Sequence, residues 1–182
     1  MEQFWNIIHY FAYRADCKLT YYFYKYTGIF KIYDIPFLKR RFKNKFGVDD
    51  PKKWLMDLNN NPDTGLSNIF AGALVGFLPF ILLFGIHIFY FMIFWEKQIP
   101  NFEVLSFKIT DFQVFIYPIF IYGVISYLIS YIFLFRKDKY LKYFKKFNKK
   151  PHKWKVKWAW ISFGVILFPL IVLISSFVAM SE

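Results

Sequence analysis

A single cysteine, Cys17, among 182 residues leaves no intrachain disulfide to form. The tetrad Arg14-Ala15-Asp16-Cys17 carries charge where a bacterial lipid-attachment site takes small or apolar residues. No basic run opens the chain at Met1-Glu2-Gln3, and Arg14, Asp16 and Lys18 interrupt the first apolar stretch. No signal peptide is therefore expected, and the first long apolar run is expected to act as its own insertion signal. Histidine is scarce too: His9, His87 and His152 are too scattered to make a zinc set with Cys17. Asp57, Asn59 and Asn61 open like a calcium loop, but Pro62 stands where the sharp turn needs glycine and Asn68 where a bidentate glutamate belongs. There is no glycine-rich phosphate loop and no G-x-S-x-G elbow. These gaps argue against catalytic residues, a metal and a cofactor, and the expectation is a protein that is not an enzyme.

Charge is missing from three long stretches, 69–95, 112–135 and 158–180, which contain no Asp, Glu, Lys or Arg. Each exceeds the roughly 20 apolar residues that cross about 30 Å of hydrocarbon. Hydrophobic residues make up 57% of the chain, above the roughly 45–50% of a soluble domain. The abundance of Phe, Tyr, Ile, Lys and Asn is also what an AT-rich coding sequence produces, so the aromatics alone do not argue function. The fold class this predicts is an all-α integral membrane protein with three transmembrane helices. Residues 1–67 are expected to form amphipathic cytoplasmic or interfacial helices ahead of a transmembrane domain, 68–182, with a basic loop at 136–157.

What charge there is lies unevenly, with 24 Lys and Arg against 12 Asp and Glu. Residues 1–67 hold 11 basic and 7 acidic side chains, and 136–157 hold 11 basic against Asp138 alone. Between them, 96–111 have only Lys97 and Lys108 against three acids, and Glu182 is the sole charge after the third stretch. The positive-inside rule then puts the N-terminus and 136–157 in the cytoplasm, with 96–111 and the C-terminus outside. The expected location is a bacterial cytoplasmic membrane. Trp95, Trp158 and Trp160 fall at span ends, where indoles favour the interface.

Local signals divide the first 67 residues. Phe4, Ile8, Phe11, Ala15, Leu19, Tyr22 and Tyr26 recur at three-to-four spacing, which predicts an amphipathic helix ended by Thr27-Gly28. Asp34 is expected to cap a second helix with Pro36 in its first turn and Gly47 after it. Asp50-Pro51 predicts a third helix, and Ser67 is the expected cap of the first span. These helices can rest on headgroups or pack against each other and the spans.

Inside the spans His87 is the only ionisable residue besides tyrosines, which argues against a pump or proton-coupled carrier. Gly72 and Gly76 form a small-xxx-small pair that admits another helix. Ser126 with Ser130, and Tyr127 with Tyr131, lie four apart on adjoining strips of the second span, a surface predicted to face protein. The basic segment is the most function-like feature. Tyr140, Phe144 and Phe147 share one predicted helical face, with one helix able to run unbroken from the second span to about Asn148. Arg136, Lys137, Lys139, Lys142, Lys145, Lys146, Lys149 and Lys150 cover much of the rest. Juxtamembrane cations attract anionic headgroups at about 1 kcal/mol each. The expected partners are the lipid bilayer and other membrane proteins or further copies of the chain, with nucleic acid the least favoured. The leading functional expectation is a non-enzymatic membrane subunit that anchors a larger assembly; its rival is a self-associating pore of holin or defence type.

Overall fold

The computed structural model describes residues 1–98 and 110–181, with side chains over 1–90 and 116–179. Most of the expected 96–111 connection lies outside the described residues. All regular structure among the described residues is helical, in the order α1 (Glu2–Thr27), α2 (Pro36–Phe46), α3 (Pro51–Asn59), α4 (Leu66–Gln98), α5 (Thr110–Ser130), α6 (Lys139–Asn148) and α7 (His152–Ser181). Three stretches are long and apolar enough to cross a membrane: Leu66–Tyr90, Ile116–Asn148 and His152–Ala179.

Turn chemistry sets the boundaries. Gly28 and Gly47 end α1 and α2 at φ 67° and 66°, the left-handed conformation that glycine adopts without a Cβ penalty. A 3₁₀ stretch, Ile29–Asp34, joins them. Asp50 caps α3 as expected, its Oδ1 accepting from the Lys52 and Lys53 amides at 3.0 and 3.2 Å. Asp34 does not cap α2; Ile35 holds that position. The Asp34 carboxylate instead pairs with Lys52 at 2.5 Å and Lys39 at 3.7 Å, tying α2 to α3. Nor does Ser67 cap α4, which starts one residue before it at Leu66. Its buried hydroxyl accepts from Asn59 Nδ2 at 3.0 Å and anchors the end of α3 to the first turn of α4.

α4 is the hub on which α7, α5 and α1 all pack. Its 33 residues span about 50 Å. Leu78 lies level with Val165, and Gly85 with Leu173, so α4 and α7 run parallel. A Cβ on Gly85 would come within 3.1 Å of the Leu173 Cα, so the two backbones approach closely here. Against α5 the register runs the other way, from Gly76 beside Ser126 to His87 beside Tyr122.

The first three turns of α1 are wedged into this bundle. Asn6, Ile7, Ile8, His9, Tyr10 and Ala12 are all buried. Ile8 and Ala12 join Ala71, Val75, Leu78 and Leu134 in one core; Ile7 and Tyr10 join Tyr140, Phe144 and Phe147 in another. The expected stripe therefore holds only in part: α1 is covered on two sides at its start, whereas Leu19 and Tyr26 remain 67% and 78% exposed. Neighbours, not periodicity, decide which faces are buried.

The second span does not continue unbroken to Asn148. A π-helical turn at Tyr131–Phe135 is followed by Lys137 and Asp138 at φ 60° and 50°. Left-handed conformations cost roughly 1–2 kcal/mol at a non-glycine residue, and they turn α6 back onto α1.

The turn 60–65 has little tolerance for change. Asn61 Oδ1 accepts from the Asp63 and Thr64 amides, and Gly65 N–H donates to the Asn61 carbonyl at 2.9 Å. A Cβ on Gly65 would overlap the carbonyl oxygens of Asn59 and Asn61, which are backbone and cannot rotate away. Gly65→Ala is expected to cost about 1–3 kcal/mol, read as a fall in melting temperature in detergent. Gly164→Ala, with nothing within 4 Å of the new methyl, should stay within about 0.5 kcal/mol. Equal melting temperatures for the two variants would refute this account of the turn.

Candidate functional site

The basic segment is a helix whose orientation is fixed by its apolar side. Tyr140, Phe144 and Phe147 are 5%, 3% and 0% exposed. Tyr10 meets Phe144 and Phe147 edge-on at 5.3 and 5.6 Å, distances favourable for aromatic pairs. Trp154 of α7 closes the cluster against Phe147 at 5.4 Å. Polar contacts lock the ends: Tyr10 donates its hydroxyl to Asn148 Oδ1 at 2.7 Å, and Arg14 donates to the Tyr10 oxygen at 3.0 Å. At the other end Lys139 pairs with Glu2 at 2.6 Å, and the Tyr143 hydroxyl donates to the same carboxylate at 3.3 Å. The Lys139 hydrogen bond holds the Glu2 carboxyl below its ordinary pKa.

With that face buried, the lysines have one direction left. Lys142, Lys145, Lys146 and Lys149 are exposed and Lys150 half-exposed. Lys145, Lys146, Lys149 and Lys150 surround one shallow depression. Arg136 and Lys137 sit exposed in the break before α6. Of the eight expected basic residues, only Lys139 has an ion pair among the described residues. The other seven have no carboxylate partner there, and four of them, Lys145, Lys146, Lys149 and Lys150, are gathered at the depression.

The six residues expected to make helix contacts go three ways. Ser126, Ser130 and Gly76 come together: Ser126 Oγ donates to the Gly76 carbonyl, and Ser130 Oγ to the Ser126 carbonyl at 2.8 Å. Gly72 instead makes room for the Phe135 ring of the π-helical turn and for His9 Nε2, which a Cβ there would meet at 2.8 and 3.5 Å. Tyr127 and Tyr131 face outward, 68% and 48% exposed, with rings stacked at 6.3 Å. An apolar groove of about 470 Å³ lies between α4 and α5, bounded by Gly76, Phe77, Ile119 and Gly123.

The sequence reading did not single out His9, which is fully buried between Gly72 and the rings of Tyr140 and Phe144 at 5.5 and 5.2 Å. Neither ring nitrogen makes a hydrogen bond of good geometry. Burial pushes its pKa down to about 4, with a smaller opposing pull from Asn68, so the imidazole is neutral at pH 7. Asn6 is a second buried polar residue, its Nδ2 donating to the Phe133 carbonyl at 2.9 Å, where the π-helical turn has disturbed the ladder. The available signal was Asn6 and His9 sitting three apart inside an otherwise apolar helical start. Burial also raises the Cys17 thiol above its ordinary pKa, the opposite of what activates a nucleophile.

A neutral buried histidine couples folding to pH. Its folded pKa lies below the unfolded value of about 6.5, so acid protonates the unfolded chain first. The contribution is full above about pH 6.5 and is lost as pH falls from there to about 4, a change of about 3 kcal/mol. His9→Leu should flatten the profile of melting temperature against pH across this window. A variant as acid-sensitive as the wild type would show that another group carries the dependence. In comparisons with protein-family profiles, curated proteins and solved structures, nothing matches this chain.

Proposed function

We propose that this chain is a non-enzymatic integral membrane subunit that anchors and organises a larger assembly. Its N-terminus and α6 face the cytoplasm and its C-terminus lies outside. The membrane is a bacterial cytoplasmic one. The observation that carries this is the aromatic packing of α6 on α1, which turns Lys142, Lys145, Lys146 and Lys149 to the exposed side of the helix beside three candidate spans. Such a surface suits anionic headgroups and acidic partner segments. Its lysine tips have no function within the fold, whereas its apolar side does. The α2–α3 region adds a second basic and aromatic surface, where Phe37 and Phe46 are 68% and 51% exposed beside Arg40, Arg41 and Lys45. That combination suits a helix pair lying at the membrane interface.

Against the pore alternative, the Ser126 and Ser130 hydroxyls are directed to backbone carbonyls, and an intramembrane bond of this kind contributes roughly 0.6 kcal/mol. The test is the native mass of the tagged chain extracted from its own membrane in mild detergent. A hetero-assembly of fixed stoichiometry is expected, and Lys145→Glu, Lys146→Glu and Lys149→Glu together should dissociate it without lowering the melting temperature. A homo-oligomer alone, with cysteines at Ser126 and Ser130 open to an impermeant thiol reagent, would replace the subunit with a pore. Reporter fusions after Lys150 should read cytoplasmic and fusions after Asn101 external; the reverse pattern would invert the topology.

A further inference from the structure

A further basic surface, distinct from the exposed lysine side of α6, lies in a cleft of about 360 Å³ between α1 and α7. The helices run antiparallel here, so their sequences grade in step. Arg14 and Lys18 of α1 with His152 and Lys155 of α7 supply the basic part of the lining, and Ala12 of α1 with Ala159 and Ile166 of α7 supply apolar surface. On α7 this gradient runs from the basic segment into the apolar span, over about 20 Å between His152 and Ile166. A soluble anion has no use for the apolar trunk, and a purely hydrophobic ligand has none for the cations. The gradient matches an amphiphile with an anionic head at the membrane edge.

Two details indicate a built site. The Arg14 guanidinium is positioned by its bond to the Tyr10 hydroxyl and lies 5.7 Å from that ring's centre, with no carboxylate partner among the described residues. Its remaining donors form the planar fork that suits a phosphate. Ser162 is 1% exposed, lines the cleft, and its Oγ has no hydrogen-bond partner. A buried hydroxyl without a partner is costly, and this one lies seven residues, about 10 Å, beyond Lys155. That is the zone between a headgroup phosphate and the acyl chain, where a glycerol ester carbonyl can accept its proton.

We infer that the α1–α7 cleft binds one anionic phospholipid, with the phosphate held by Arg14 and Lys155, an ester oxygen by Ser162, and an acyl chain along Ala12, Ala159 and Ile166. The site depends on α7 crossing the bilayer, and does not depend on partner binding at α6. The test uses the full chain purified in detergent and native mass spectrometry with added phosphatidylglycerol, phosphatidylcholine of the same chains, or glycerol phosphate. One phosphatidylglycerol should be retained about tenfold or more over phosphatidylcholine, and glycerol phosphate should not displace it. Arg14→Gln with Lys155→Gln should remove that preference, and Ala159→Leu should reduce retention of both lipids by filling the trunk. If the Arg14 variant lowers the melting temperature, Lys18→Gln with Lys155→Gln takes its place. Lys145→Gln, Lys146→Gln and Lys149→Gln together should leave the single adduct intact, which separates this site from the α6 surface. Equal retention of the two lipids, unchanged retention in the cleft variants, or displacement by glycerol phosphate would each overturn the lipid site.

Discussion

The packing of α1 residues 6–12 between two sets of neighbours is the constraint on which the other features depend. Ile8 and Ala12 fill the space against α4, while Ile7 and Tyr10 provide the surface that receives α6. Both faces of one short helical segment are thereby buried, and polar residues are caught within it. Asn6 finds a carbonyl at the π-helical turn, and His9 is forced to stay neutral. Truncating Tyr10 would remove from the α6 core both a ring packed on Phe144 and the hydroxyl that bonds Asn148.

From that wedge the charge layout follows. The left-handed residues Lys137 and Asp138 are unfavourable alone, at roughly 1–2 kcal/mol each. Burying Phe144 and Phe147, at up to roughly 3 kcal/mol each, outweighs them. The reversal therefore persists, and the lysines opposite the aromatics are turned outward. Because α1 also packs on α7, it lends Arg14 and Lys18 to the basic cleft between them.

Periodicity and capping made much of the architecture legible. The apolar stretches are long enough to stand without tertiary information, and Gly28, Gly47 and Asp50-Pro51 act locally, so their boundaries hold. The shared face of Tyr140, Phe144 and Phe147 was readable for the same reason: three residues at helical spacing need no partner to be aligned. Capping by Asp34 and Ser67 failed because each side chain had a better long-range partner, Lys52 for one and Asn59 for the other. The α5–α6 break left no proline or glycine to mark it. Tertiary attraction between α6 and α1 imposed positive φ on a lysine and an aspartate. The two-sided burial of α1 was hidden too, since a wheel projection shows one apolar face and cannot say that a second will be covered.

The π-helical turn and the left-handed pair have a mechanical consequence. They place a joint between α5 and α6, where the α-helical ladder gives way to π-helical and 3₁₀ turns over 131–138. α6 is held by side chains: an aromatic cluster, the bonds of Lys139 and Tyr143 to Glu2, and the Tyr10–Asn148 bond. Such an element opens as a unit while α4, α5 and α7 stay intact, because subglobal unfolding follows the weakest contiguous boundary. Amide exchange in 139–148 then reports the free energy of this docking, separately from the stability of the spans.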